Sequence, residues 1–331
     1  MFVVTGTAAA IALCVVTMLG WGSWANTQKL AGKQNWPFPL YYWDYAIGVF
    51  VFGLLAMFTL GSFGAAGAPA LSNLAGADTD KIWRAVLSGV LFNISNILLV
   101  VAIDAAGMSV AFPVGVGIAL VLGTVISYAD APKGNSVLLF GGVAFVVAAM
   151  VVSAVVHRRK QQSGTVQAGR GLAFAVVAGL LMGSFYPQLA STISPGFSDS
   201  AMKAGYLTPY VALALFGAGL LGSNFVVNTI FLRRANLQYR AYFKAGPRLH
   251  SLGILGGAIW MLALTCNVIA SGVAGPAVSY ALGQGATLVA AVWGVFIWKE
   301  FAGAPASTGR LIALMLASYA IGLGLIGMAT L

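Results

Sequence analysis

Apolar residues fall in long blocks along this chain, interrupted by short clusters of Gly, Pro, Asp, Lys and Arg. A helix crossing a bilayer needs about 20 consecutive, mostly apolar residues. Blocks of that length occur at 7–26, 42–63, 84–104, 106–129, 137–156, 171–193, 206–232, 251–271, 273–297 and 308–330. The pattern predicts an all-α integral membrane protein of about ten transmembrane helices. The longest joints are 64–83, 157–170 and 194–205, too short for an extramembrane domain.

The blocks repeat. Ala106-Gly107, Val110, Gly115 and Gly117 return 168 positions later as Ala274-Gly275, Val278, Gly283 and Gly285. A weaker match relates Gly22-Ser23-Trp24 to Gly183-Ser184-Phe185, with the amides Asn26 and Gln188 following. The chain is therefore expected to hold a first five-helix repeat at 1–156, a short basic linker at 157–170 and a second repeat at 171–331. An odd number of helices per repeat inverts one half relative to the other, the arrangement of many alternating-access carriers. Gly115, Ala119 and Gly123, and Gly283, Thr287 and Ala291, recur at intervals of four as small-residue seams where helix backbones can approach closely.

Composition supports this picture. The chain is 60% hydrophobic and 7% charged, with a mean hydropathy of +0.93, more apolar surface than a soluble core could bury. The net charge of +10 sits in the joints between blocks, which is a loop pattern and not a nucleic-acid surface. Thirteen of the 17 Lys and Arg residues lie on the side of the joints after helices one, three, five, seven and nine. The positive-inside rule makes that side cytoplasmic and leaves both termini outside. Cys14 and Cys266 lie within blocks and suggest packing, and the first block is expected to be a retained helix.

No metal-ligand cluster, nucleophile–base pair or phosphate-binding loop is visible, and His157 and His250 are expected in basic loops, so neither an enzyme nor a metal site is expected. The polar and aromatic residues at membrane depth are the candidates for a substrate lining: Trp21, Trp24, Asn93, Asn96, Tyr186, Gln188, Tyr280 and Gln284. Aromatic rings stack on flat or C–H faces, and amides both donate and accept hydrogen bonds, which suits a small neutral solute. Asn93 and Asn96 share a helical face and are read as pore lining, with interhelical bonding as the alternative. Asn224 and Asn228 are read the other way. Trp24 and Gln284 fit either role, and Trp36 and Trp43 fit an interfacial belt. Asp44 is the candidate for coupling to H+ or Na+, with capping of the second helix as the alternative. Asp104 reads as a solvated turn residue, and Asp78, Asp80, Asp130, Asp199 and Glu300 as loop or boundary residues.

Asn93 to Asn96, Gly107-Met108-Ser109 and Gly115 to Gly123 resemble the pattern of helices three and four in rhamnose symporters. Gly20-Trp21-Gly22-Ser23-Trp24 resembles the first helix of the wider drug/metabolite transporter superfamily, and Asp44-Tyr45 resembles the second helix of ureide permeases. The resemblance implies a ten-helix carrier of a small neutral solute in a bacterial inner membrane, often proton-coupled, its partners being that solute and membrane lipid. The joint at 157–170 lacks the long central loop of plant ureide permeases. That favours the sugar-uptake branch and a monosaccharide, over a ureide or purine-type metabolite and over drug or metabolite export. A passive channel or a membrane sensor stands as the alternative of another class.

Overall fold

The computed structural model describes residues 1–64, 66–160, 168–198, 202–301 and 305–330. Most of the 157–170 joint and Asp199 lie outside the described residues, as do the side chains of Met108, Ser109, Arg159 and Lys160. The helices are α1 (Thr7–Ser23), α2 (Ala25–Gly32), α3 (Phe38–Phe58), α4 (Ala70–Gly76), α5 (Thr79–Ala106), α6 (Met108–Asp130) and α7 (Ser136–Lys160). They continue as α8 (Ala168–Ala190), α9 (Pro209–Arg234), α10 (Tyr239–Phe243), α11 (Pro247–Ala274), α12 (Pro276–Gly283), α13 (Ala286–Val292) and α14 (Ala306–Met328). Ten stretches are long and apolar enough to span a membrane, and among the described residues there is no β-strand. The protein is an all-α multi-pass membrane protein.

The ten spanning stretches are helical because a helix satisfies its backbone groups internally, the condition a lipid core imposes. Boundaries follow local chemistry. Pro37 and Pro39 start α3 at Phe38. Gly107 and Gly275 end α5 and α11 at nearly the same dihedrals, φ 79 and ψ 155 against φ 86 and ψ 152. That left-handed region favours glycine. Two spans depart from a single helix. The first is interrupted at Trp24, between α1 and α2. The ninth breaks at Gln284-Gly285, and its second piece runs into a π-turn at Trp293–Ile297.

Packing is reciprocal. The helices α5 and α11, each 28 residues long, begin 168 positions apart. α5 lies against α8 and α9, α11 lies against α1 and α3, and α7 pairs with α14. Glycines set the two tightest crossings. A Cβ on Gly89 would stand 2.0 Å from the Phe216 carbonyl oxygen, and one on Gly257 would stand 2.0 Å from that of Tyr45. The facing glycines behave alike: a Cβ on Gly219 would meet the Val86 oxygen at 2.0 Å, and one on Gly48 the Ile254 oxygen at 2.2 Å. Positions 168 apart on α5 and α11 thus make the same contacts with positions 171 apart on α3 and α9.

The small-residue seam of α6 packs on α8. A Cβ on Gly179 would lie 2.6 Å from the Gly115 oxygen, one on Gly183 would lie 3.2 Å from the Ala119 oxygen, and one on Gly123 would strike the Tyr280 ring at 2.4 Å. On the ninth span, Gly283 faces Asn267, Trp21 and Thr17, Thr287 is buried and Ala291 is half-buried.

Several sequence expectations are corrected here. Asp44 does not open its helix: α3 starts six residues earlier, which places the carboxylate almost two turns inside. Trp36 and Trp43 are 8% and 7% exposed and do not form a belt. Trp43 packs on Phe225 and Tyr239 and Trp36 on Tyr242 and His250, because α10 folds over this end. His157 and His250 belong to α7 and α11, not to loops.

Candidate translocation site

Tyr41 and Tyr42 lie one turn before Tyr45 on α3, and all three are fully buried. Spacing of three and four on a helix sets their rings on one side, and that side faces the middle of the bundle. The Tyr45 ring lies 5.2 Å from Tyr42, 4.9 Å from Trp24 and 6.4 Å from Trp260. Asn96 of α5 donates from Nδ2 to the Tyr42 hydroxyl at 3.2 Å. The buried Tyr45 hydroxyl has no hydrogen-bond partner among the described residues. Buried polar groups are almost always paired, and this hydroxyl shares its unpartnered state with others, among them the Tyr186 hydroxyl and the Asn224 amide.

The core of the site is Trp260, 4.3 Å from Phe92 and stacked on Phe216 at 5.7 Å and on Trp21 at 5.9 Å. Trp260 and Phe92 are themselves 168 positions apart, so each occupies the other's place in the reciprocal packing. Around them the two sides differ in chemistry. The Trp24–Tyr45 pair on one side corresponds to the Phe185–Phe216 pair on the other, 5.8 Å apart. At these two positions one side carries an indole and a phenol where the other carries hydrocarbon rings, while Tyr186, 6.2 Å from Phe185, adds a second unpartnered phenol there.

The structure disperses the other candidates. Asn93 is fully buried and donates to Ser223 Oγ of α9 at 2.9 Å, an interhelical bond. Asn228 donates to the Pro39 oxygen at 2.8 Å, while neither amide atom of the buried Asn224 has a partner among the described residues. Tyr186 and Tyr280 stack at 4.8 Å, and the Tyr280 hydroxyl donates to the Ala119 oxygen, 3.2 Å away. Gln284 sits half-buried at the break between α12 and α13. Asp104 is exposed.

The two ends of the bundle are unlike. At the end where α5 begins, a cavity of about 200 Å³ is lined by Arg84, Asp130, Ser184, Gln188 and Ser191. The corresponding cleft at the opposite end is filled. Trp293 donates to Ser23 Oγ at 2.9 Å and Trp298 to Asn26 Oδ1 at 2.6 Å. Lys29 pairs with Glu300 at 2.6 Å, and the ammonium groups of Lys29 and Lys33 lie 4.3 and 4.5 Å from the Trp298 ring centroid. The π-turn supplies the first of these tryptophans, in keeping with the frequent use of such turns at functional sites.

Asp44 lies beside this filled end. It is 1% exposed and is the only buried carboxylate among the described residues. The Tyr242 hydroxyl donates to it at 2.6 Å, and His250 Nδ1 lies 2.9 and 3.0 Å from its two oxygens. Burial first, then the hydrogen bond and charge of Asp44, push the Tyr242 phenol upward, so it stays a donor across the physiological range.

Sequence reasoning missed Tyr42, Tyr45, Phe92, Trp260, Tyr242 and His250. The spacing of Tyr42 and Tyr45 was available as a signal. Nothing local in the sequence relates His250 or Tyr242 to Asp44.

Fold and site together define a polytopic helical membrane protein with an aromatic and amide centre. The family model for ureide permeases matches residues 41–167, a stretch that contains Tyr42, Tyr45, Asn93 and Asn96. The match falls to the family that the sequence reading placed second, not to the sugar-uptake branch. A solved crystal structure of a protein, 16% identical, covers 95% of this chain and 96% of its own length with a TM-score of 0.63. At that identity the likeness is one of fold.

Proposed function

We propose that this protein is a permease for a small, neutral, amide-rich metabolite of the ureide or purine type. The observation that carries this reading is the ureide permease match over residues 41–167. The site chemistry agrees with it. A planar ureide or nucleobase presents flat faces to Trp24, Tyr45 and Trp260 and a row of N–H and C=O groups to the Tyr45 hydroxyl and the Asn96 amide. No Lys or Arg is buried among the described residues, as suits an uncharged solute.

The mechanism in this reading is alternating access between two inverted five-helix repeats, 1–156 and 171–331, in a bacterial inner membrane with both termini periplasmic. The cavity at one end and the Trp293–Trp298 plug at the other are the open and closed faces of one such state. The break at Trp24 meets the plug through Ser23 and Asn26, so movement of the ninth span would reach the site through the first.

The test is uptake of labelled allantoin, uracil, glucose, ribose and rhamnose into proteoliposomes of the purified protein. Saturable uptake of allantoin or uracil, suppressed by excess unlabelled solute, is the expected result. Uptake confined to a sugar would return the protein to the sugar branch. Flux that never exceeds equilibration under any ion gradient would mark a passive channel.

A further inference from the structure

The buried Asp44 and the half-buried His250 form an acid–imidazole pair that the solute site does not use. The fold does not require it. In the reciprocal packing the places of His250 and Asp44 are taken by Ile82 and Leu215, both half-buried and apolar. The same helix crossing is therefore built once with hydrocarbon and once with a carboxylate and an imidazole. Such a pair seldom adds stability over apolar packing, and an ionisable group within a spanning helix is a candidate for function.

The geometry points to a proton-binding site at Asp44–His250 that holds the plugged end closed; this assignment rests on the permease reading. The residues come from three elements: Asp44 from α3, Tyr242 from α10 and His250 from the first turn of α11. Opening that end would draw these elements apart. His250 Nδ1–H faces the carboxylate, which leaves Nε2 to take a proton from water, since the side chain is 24% exposed. With that proton the pair is imidazolium and carboxylate with no net charge, which a buried site tolerates. Release of the proton to water leaves one uncompensated negative charge, and that favours opening to solvent.

The groups facing the pair are few. Tyr242 and Trp36 flank His250, with the Trp36 ring edge-on at 6.0 Å, and Tyr41 is bonded to Thr27 of α2 at 2.7 Å. Arg240, Lys244 and Arg248 on the neighbouring segments are exposed.

The experiment has two arms, both on the full-length protein. An imidazolium quenches a neighbouring indole, so tryptophan emission is followed from about pH 5 to about pH 8, the range in which imidazoles change charge. Wild type should show one titration that disappears in both H250Q and W36F. A flat wild-type profile, or a titration that survives in H250Q, overturns the proposal. In proteoliposomes, H250Q and D44N should lose proton-driven accumulation by about tenfold or more, a usual size for coupling between sites, and flatten its pH profile. Solute exchange at equal pH should fall far less. Equal loss of exchange and accumulation in folded protein would make the pair structural and overturn the proposal. A wild type that titrates but moves none of the solutes defeats the permease reading and leaves the proton site standing.

Discussion

Tyr45 touches Trp24, Tyr42 and Trp260, while its backbone oxygen receives Gly257. Removing only its hydroxyl separates recognition from packing. Tyr45→Phe should raise KM for an amide-rich solute about two- to thirteenfold, the worth of one hydrogen bond at about 0.5–1.5 kcal/mol, with unchanged membrane insertion. An unchanged KM would move the site away from this hydroxyl. Asn93→Ala, in contrast, breaks a bond to Ser223, so its effect should appear in thermal stability in detergent before it appears in KM. At this scale the sequence was informative where chemistry and depth coincide. Asn96, Trp21 and Trp24 were visible as polar or aromatic groups inside apolar blocks, and all three surround the aromatic centre. Asp44 was visible too, but its partners lie some 200 residues away and nothing in the local pattern binds them to it. Trp36 and Trp43 misled, because flanking aromatic residues read as interfacial unless a cover such as α10 is known.

At the scale of elements, the close crossings rest on glycines whose hydrogens face carbonyl oxygens. Gly89→Ala and Gly257→Ala each place a methyl group within 2.0 Å of an oxygen, and overpacking of this kind costs about 1–3 kcal/mol or more. Both variants should lower the thermal midpoint of the detergent-solubilised protein by similar amounts, since they sit in equivalent places. Gly141→Ala, which meets nothing within 4 Å, should leave the midpoint in place. A drop in one of the first two variants without the other would show that the crossings are not equivalent. The repeat at 107 and 275 was legible because both glycines end a helix at positive φ. The match of Gly89 with Gly257 lay in the same offset and needed only its extension backward. The breaks at Trp24 and Gln284 were not legible, because neither carries a proline at the break and the blocks read as continuous.

At the scale of the molecule, closure of one end in the proposed mechanism depends on few side chains. Lys29 and Glu300 are about one-third exposed, and a pair screened to that degree contributes little, about 0–1 kcal/mol. Glu300→Gln should therefore change transport only slightly. Trp298→Ala removes the bond to Asn26 and the ring beneath two ammonium groups. It should increase the rate at which a cysteine placed at position 23 reacts with a membrane-impermeant thiol reagent. No increase would assign closure to other contacts. The ten spans were predicted from block length alone, because lipid imposes the same requirement on every helix. The difference between the two ends was not, since it arises from how the ninth span packs on the first.

The reciprocal packing of α5 and α11 also sets a schedule for biogenesis. When α5 leaves the ribosome and enters the membrane, neither α8 nor α9 has been synthesised, so Gly89, Phe92 and Asn93 have nothing to rest on. The first five spans should therefore be less stable alone than in the complete bundle and become secure only when the later helices arrive. A gene cut between the codons for residues 160 and 168 should give two fragments that are each degraded when made alone and that rescue one another when made together.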